Sequence, residues 1–383
     1  MDGVGWLLRV SAVGCLIAVG LLGDGAVGHA SASRGARVVR PPSPYRLPAK
    51  AVWVSNSRQL EAALSRGRTR NVILKDGVYD SGEPFLVHNG NRLYAAHLGR
   101  AVLRAGIALG ANTGGAAPLV RGLRFDVSDP RRTLNNSMIL VWGTATGTRI
   151  LDTSIAGHGR IDAGIWARQV EGFVAKRVVV RGFRSYGVMV DPNNPSYRTV
   201  HPYLLEDVAV ARVARPTLGS SKGTAEACIW LGSRGVVSRV SASRCGLVGV
   251  WTGSANIGSV LQDVAIDHSP TGIYLEHFTK GATFERLRVG PAVRRGVNAE
   301  WADPAWGRRP ASVDNVFRDS IFATSVVGVF LDEGTTRTSV IRCIFKGQRW
   351  AGIGNYRGNG NRFAGNDFKG LLPGAVPISR GHI

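Results

Sequence analysis

The chain has 383 residues and a formal net charge of +22, from 48 Lys and Arg against 26 Asp and Glu. Of the basic residues 41 are Arg and 7 are Lys, dispersed rather than clustered, which fits a polyanionic partner or an Arg-rich set of solvated turns. There is no recognisable nucleic-acid reading module, no zinc-type Cys/His spacing and, beyond the N-terminal apolar run, no stretch near 18 apolar residues; these absences argue against a nucleic-acid partner, a zinc site and a membrane span.

In chain order, residues 1–32 read as a signal peptide. Arg9 supplies a weak basic region, Val10 to Leu22 an apolar run, and Ala30-Ser31-Ala32 a small-x-small cleavage site. Secretion is the localisation this implies. Residues 33–50 form a Pro- and Arg-rich linker, and residues 51–370 are expected to fold as one body with a tail at 371–383. Asn56 or Ser57 can cap a helix running through Arg66, with Leu60 and Leu64 on its apolar side and Gly67 ending it.

The body repeats. A Gly or small residue followed by a short apolar strand recurs at Gly164, Gly187, Cys228, Gly249, Gly272, Gly296, Gly328 and Gly352. Five of the seven spacings fall between 21 and 24 residues, and the two longer ones contain inserts at 191–202 with 214–225, and at 301–311. A second strand signal follows in each coil, as in L-Q-D-V-A-I from Leu261 and F-E-R-L-R-V from Phe284. One coil is too small to bury its own apolar face, but coils stacked about 4.8 Å apart build a continuous core. The fold class expected is therefore all-β: a single-stranded right-handed parallel β-helix solenoid with an N-terminal capping helix, and a monomer.

The segment V-W-V-S-N-S-R-Q-L-E-A-A-L, followed by N-V-I-L-K-D-G-V-Y-D, resembles the cap and first coil of polysaccharide-lyase-like (pectate-lyase-like) β-helix proteins, and the later coils resemble generic parallel β-helix repeats. That resemblance implies the fold over nearly all of 51–370. It leaves the reaction open among lyases, polygalacturonases, epimerases, tailspikes and non-catalytic surface proteins. A-G-H-G-R at 156–160 is similar to a polygalacturonase motif, but the paired Asp residues and the Arg-x-Lys signature of that family are missing, so His158 is set aside.

Strand alternation assigns sides. Counting from the Gly, positions +1 and +3 are mostly aliphatic and point inward. Position +2 then displays Trp166, Met189, Trp230, Trp251, Tyr274, Asn298 and Phe330, and position +4 displays Arg168, Asp191, Gly232, Gly253, Glu276, Glu300, Asp332 and Tyr356. The expectation is an exposed aromatic row beside an acid ladder, a surface suited to sugar rings and hydroxyls. Trp166, Trp230, Trp251, Tyr274, Phe330 and Arg168 are the candidate substrate contacts.

Glu276, Glu300 and Asp332, on successive coils, are the candidate catalytic acids, with His277 as a base at the groove edge. Stacked carboxylates need a raised pKa, a cation or Arg partners, and Arg294, Arg295 and Arg357 are the plainer compensators. The same oxygens could hold Ca²⁺. Lys280 and Arg168 are the base and neutraliser if the chemistry is β-elimination on a uronate. The functional expectation is a secreted protein acting on a polysaccharide, one of whose classes is acidic, as lyase or glycoside hydrolase; the alternative is a non-catalytic glycan binder. Of the cysteines beyond the signal, Cys228 and Cys245 can pair if a turn brings them together, and the plainer reading makes them and Cys343 buried small hydrophobes.

Overall fold

The computed structural model describes residues 45–65, 70–110, 116–190, 201–213, 227–253, 256–276, 279–299 and 312–381. The stretch read as a signal peptide and most of the stretch read as a linker lie outside these residues. Within them the chain is a right-handed parallel β-helix. Each coil contributes a strand to a first, a second and a third face in turn. The third face is a 12-stranded parallel sheet running from Phe85–Val87 to Val376–Ser379, the last strand lying in the stretch read from sequence as a tail. The first two faces form one 23-stranded sheet, because Phe173–Phe183 and Tyr203–Val213 run unbroken round the bend between them. A short three-stranded ladder, Thr279–Lys280, Ser312–Val313 and Thr335–Thr336, follows the third face in the later coils. No helix among the described residues is long and apolar enough to cross a membrane.

The alternation read from the sequence holds at the core. Ile165, Val188, Ile229, Val250, Ile273, Val297 and Val329 are buried, as are the residues two further on, and they join one continuous interior. Aromatic stacks extend this interior, with Phe284 on Phe317 at 4.5 Å and Phe322, Phe345 and Phe368 in series. The helix spans Ser57–Leu64. The Asn56 side chain accepts from the Gln59 amide, and Leu60, Ala63 and Leu64 are buried in the first coil.

The repeated glycine has a steric cause. A Cβ on Gly272 would lie 2.5 Å from the Gly296 carbonyl oxygen, one coil on. Cys228 occupies this register position in its own coil and uses its side chain across the interior. It is disulfide-bonded to Cys245, with Cα atoms 5.4 Å apart, which corrects the reading of both as unpaired hydrophobes. Cys343 is buried and free.

A charged column marks the bend between the first two faces. Asp152, Arg177, Asp207, Arg239, Asp263, Arg286, Asp319 and Arg342 stand in register on successive coils, all with φ between 51° and 55°. Aspartate tolerates this left-handed conformation through local hydrogen bonding. Arginine has no such help, and here each is held by the Asp one coil before it, as in Arg239–Asp207 and Arg342–Asp319, both at 2.7 Å. Alternating sign removes the repulsion that a stacked column of one charge would carry. Part of the arginine excess is thus structural.

Candidate functional site

The third face presents its outward residues in the order expected. The register pairs Trp166 with Met189, Met189 with Trp230, Trp230 with Trp251, Trp251 with Tyr274, Tyr274 with Asn298 and Asn298 with Phe330. The rings are not bare, however. Trp251 is 8% exposed, Met189 6% and Phe330 3%, while Trp166, Trp230 and Tyr274 are half-buried. Closely spaced rings cover one another. Trp230 stacks on Trp251 at 4.9 Å, Tyr274 meets Trp251 edge-on at 5.1 Å, and Tyr186 leans on Trp230 at 5.3 Å. Only part of the row, Trp230 and Tyr274 on either side of Trp251 and Trp166 further along, therefore offers ring surface. Among the described residues the buried indole N–H groups of Trp166 and Trp230 have no hydrogen-bond partner, a state that an incoming acceptor would relieve.

Glu276 lies at the end of this shelf. The Trp251 Nε1–H donates to its Oε2 at 2.9 Å. Burial pushes the Glu276 carboxyl up and the Trp251 bond draws it down, and burial prevails, leaving it at about 7. Gly253 makes the arrangement sterically possible. A Cβ there would collide with Oε2 and come within 3.2 Å of Trp251 Nε1. Three consecutive coils thus cooperate: Trp230 backs Trp251, Trp251 and Gly253 receive the carboxylate, and Glu276 supplies it.

Leu275 pairs with Ala299 and Ala299 with Leu331, so Glu276 and Asp332, which follow these strands, stand two coils apart. Asp332 Oδ1 accepts from the Glu333 amide at 2.7 Å. Glu300 and His277 lie outside the described residues, as do the inserts with Asp191, Trp301, Trp306, Arg308 and Arg309. Arg168 is exposed at its coil. Two of the arginines read as compensators, Arg295 and Arg357, make contacts of their own. Arg357 pairs with Glu333 at 3.4 Å and lies over the Tyr356 ring, and Arg295 bonds Asn298 and lies over Phe330. Among the described residues no three of His, Cys, Asp and Glu form a set that could hold a metal ion.

A second polar cluster, of which the sequence reading considered only His158 and set it aside, lies on another part of the coil. Asp80, Arg104 and Asp126, at the ends of the second-face strands, are in register on three successive coils. With Asp129, Arg132 and His158 they line a cleft of about 490 Å³ at the corner leading into the third face. His158 Nε2 is 2.5 Å from Asp126 Oδ1, and Arg124 is 2.7 Å from Oδ2. The His158 bond lowers the Asp126 carboxyl below its usual range; burial opposes this, and Arg124 adds to the lowering. The signal was present as an apolar residue followed by a charged one, Tyr79-Asp80, Leu103-Arg104 and Phe125-Asp126. Short strands separated by dissimilar turns hid its period.

No family model and no curated protein matches the sequence. Solved structures do resemble it in fold. The catalytic unit of a thermostable GH87 alpha-1,3-glucanase from Streptomyces thermodiastaticus strain HF3-3 is 10% identical with a TM-score of 0.56, over 85% of this chain and 70% of that one. A GH87 alpha-1,3-glucanase catalytic domain in complex with tetrasaccharides is 12% identical with a TM-score of 0.54, over 90% and 70%. The Dettilon tailspike protein is 13% identical with a TM-score of 0.50, over 83% and 64%. At such identities the likeness is one of fold.

Proposed function

We propose that this chain is a secreted protein that hydrolyses a polysaccharide on its third face, with Glu276 as proton donor. The observation that carries the reading is the Glu276 carboxyl, fixed by the Trp251 N–H and buried enough to keep its proton up to about pH 7. A carboxyl in that state suits protonation of a leaving glycosidic oxygen as the C–O bond breaks. Abstraction of a proton, as in β-elimination, needs the ionised form instead.

Asp332 is the partner carboxylate of this reading. Two coil steps correspond to about 9.6 Å of backbone, near the separation of inverting pairs, in which the second carboxylate takes a proton from the attacking water. Trp230, Tyr274 and Trp166 provide ring surface for sugar faces. The alpha-1,3-glucanases that share the fold support a polysaccharide ligand, and the Cys228–Cys245 disulfide together with the apolar leader supports an oxidising, extracytoplasmic compartment.

The test is incubation with neutral and uronic-acid polysaccharides, with Ca²⁺ or with chelator, following reducing ends and the absorbance of unsaturated products. Hydrolysis predicts reducing ends without unsaturation, independent of chelator, and a drop of roughly 10²–10⁴ in Glu276→Gln. Unsaturated product would assign a lyase. Binding without product on every substrate would favour the non-catalytic glycan binder.

A further inference from the structure

The cleft at Asp126 and His158 plays no part in the function proposed above. It lies five coil steps from the coil of Glu276, since Asp126 is in register through Ala156, Arg181, Ala211 and Ser243 with Asp267. That is about 24 Å along the stack, on the corner that opens onto the same third face.

Its charges are unequally committed. Arg104 stands in register between Asp80 and Asp126 and would be expected to pair with Asp80, as each arginine of the bend column pairs with the Asp one coil before it. Both carboxylates are turned elsewhere. Asp80 is held by Arg132, which also approaches Asp129 at 3.9 Å, and Asp126 is held by Arg124 and His158. Among the described residues no carboxylate pairs with Arg104, which is exposed in the cleft wall. A guanidinium presents a planar fork of donors that fits a carboxylate in two parallel bonds. The aspartates around it, already fixed by their own cations, are oriented acceptors for hydroxyl groups. A ligand with one carboxylate and several hydroxyls on a ring meets both requirements, and a divalent cation meets neither.

We propose that this cleft is a second carbohydrate subsite, in which Arg104 takes the carboxylate of a uronic-acid residue. That the ligand is a sugar rests on the function proposed above; that it is acidic rests on Arg104 and its surroundings. A polymer lying obliquely on the third face would reach this subsite and Glu276 together, and the net charge of +22 favours its approach.

The test is calorimetric titration of the full-length Glu276→Gln chain, which removes turnover, with tetrasaccharides of galacturonate, mannuronate, guluronate and glucuronate and with their methyl esters. The proposal expects at least one acidic tetrasaccharide to bind, its methyl ester to bind at least about tenfold more weakly, and Arg104→Ala to weaken the acid by at least about tenfold while leaving the ester unchanged. Arg104→Lys should fall between, because it keeps the charge and loses the fork. Absence of binding by all four acids, or equal affinity of Arg104→Ala and its parent, overturns the proposal. If the Arg104 effect appears while Glu276→Gln retains full hydrolytic activity, the Glu276 reading fails and this one stands.

Discussion

Trp251→Phe isolates a single hydrogen bond in the Glu276 niche. The substitution keeps an aromatic ring on the shelf and removes the donor that lies 2.9 Å from Glu276 Oε2. Two effects oppose each other at this carboxyl: burial raises its pKa, and the indole N–H, which bonds the ionised form better, lowers it. Deleting the donor removes the lowering contribution of Trp251 and leaves the raising effect of burial in place. A hydrogen bond to a charged group contributes about 1.5–3 kcal/mol, and about 1.4 kcal/mol corresponds to one pH unit. The Glu276 pKa should therefore rise from about 7 by about one to two. The assay is a carbon-13 NMR titration of glutamate side-chain carboxyls, with Glu276→Gln identifying the resonance. An unchanged midpoint would mean the bond does not form in solution. A fall toward the ordinary glutamate value would mean that Trp251 acts by excluding water, and would refute the balance argued here.

Other consequences can be measured separately. Because the folded-state pKa of Glu276 lies above the ordinary 4.5, the fold holds more protons than the unfolded chain between those values. Stability should fall as pH rises from about 4.5 through about 7, by about 3 kcal/mol, and Glu276→Gln should remove that slope in denaturant titrations at several pH values. Gly253→Ala should displace the Glu276 carboxylate, returning its pKa toward 4.5 in the same NMR titration. Asp152→Ala should destabilise by about 3–5 kcal/mol, since it leaves Arg121 and Arg177 without the carboxylate they share, whose side chain is only 5% exposed. Replacing Cys228 and Cys245 by Ser opens a loop of 17 residues and should cost about 3 kcal/mol, read as a lower thermal midpoint than that of the oxidised protein.

The periodic features were legible in the sequence because their causes are local. Alternation of side chains along a strand places Ile273 and Leu275 inward wherever the coil sits, and the crowding at each Gly, where the next coil's carbonyl leaves no room for a Cβ, imposes its own spacing. The bend column was equally regular in space but not in the chain. Asp152, Arg177, Asp207 and Arg239 are separated by 25, 30 and 32 residues because turns and inserts of differing length intervene.

The sequence by itself determined the stack, its inward face and the set of residues displayed outward. Only the tertiary structure decided what those residues do. Whether Trp251 is a bare platform or a buried donor depends on Trp230 one coil before it and Tyr274 one coil after, and the state of Glu276 depends on Trp251, 25 residues away. The same holds for His158 with Asp126, 32 residues apart, and for the disulfide, 17 apart. Exposure and charge state are set by neighbours along the stacking axis, and which residues become neighbours follows from the summed length of every turn between them, a quantity that no local pattern contains.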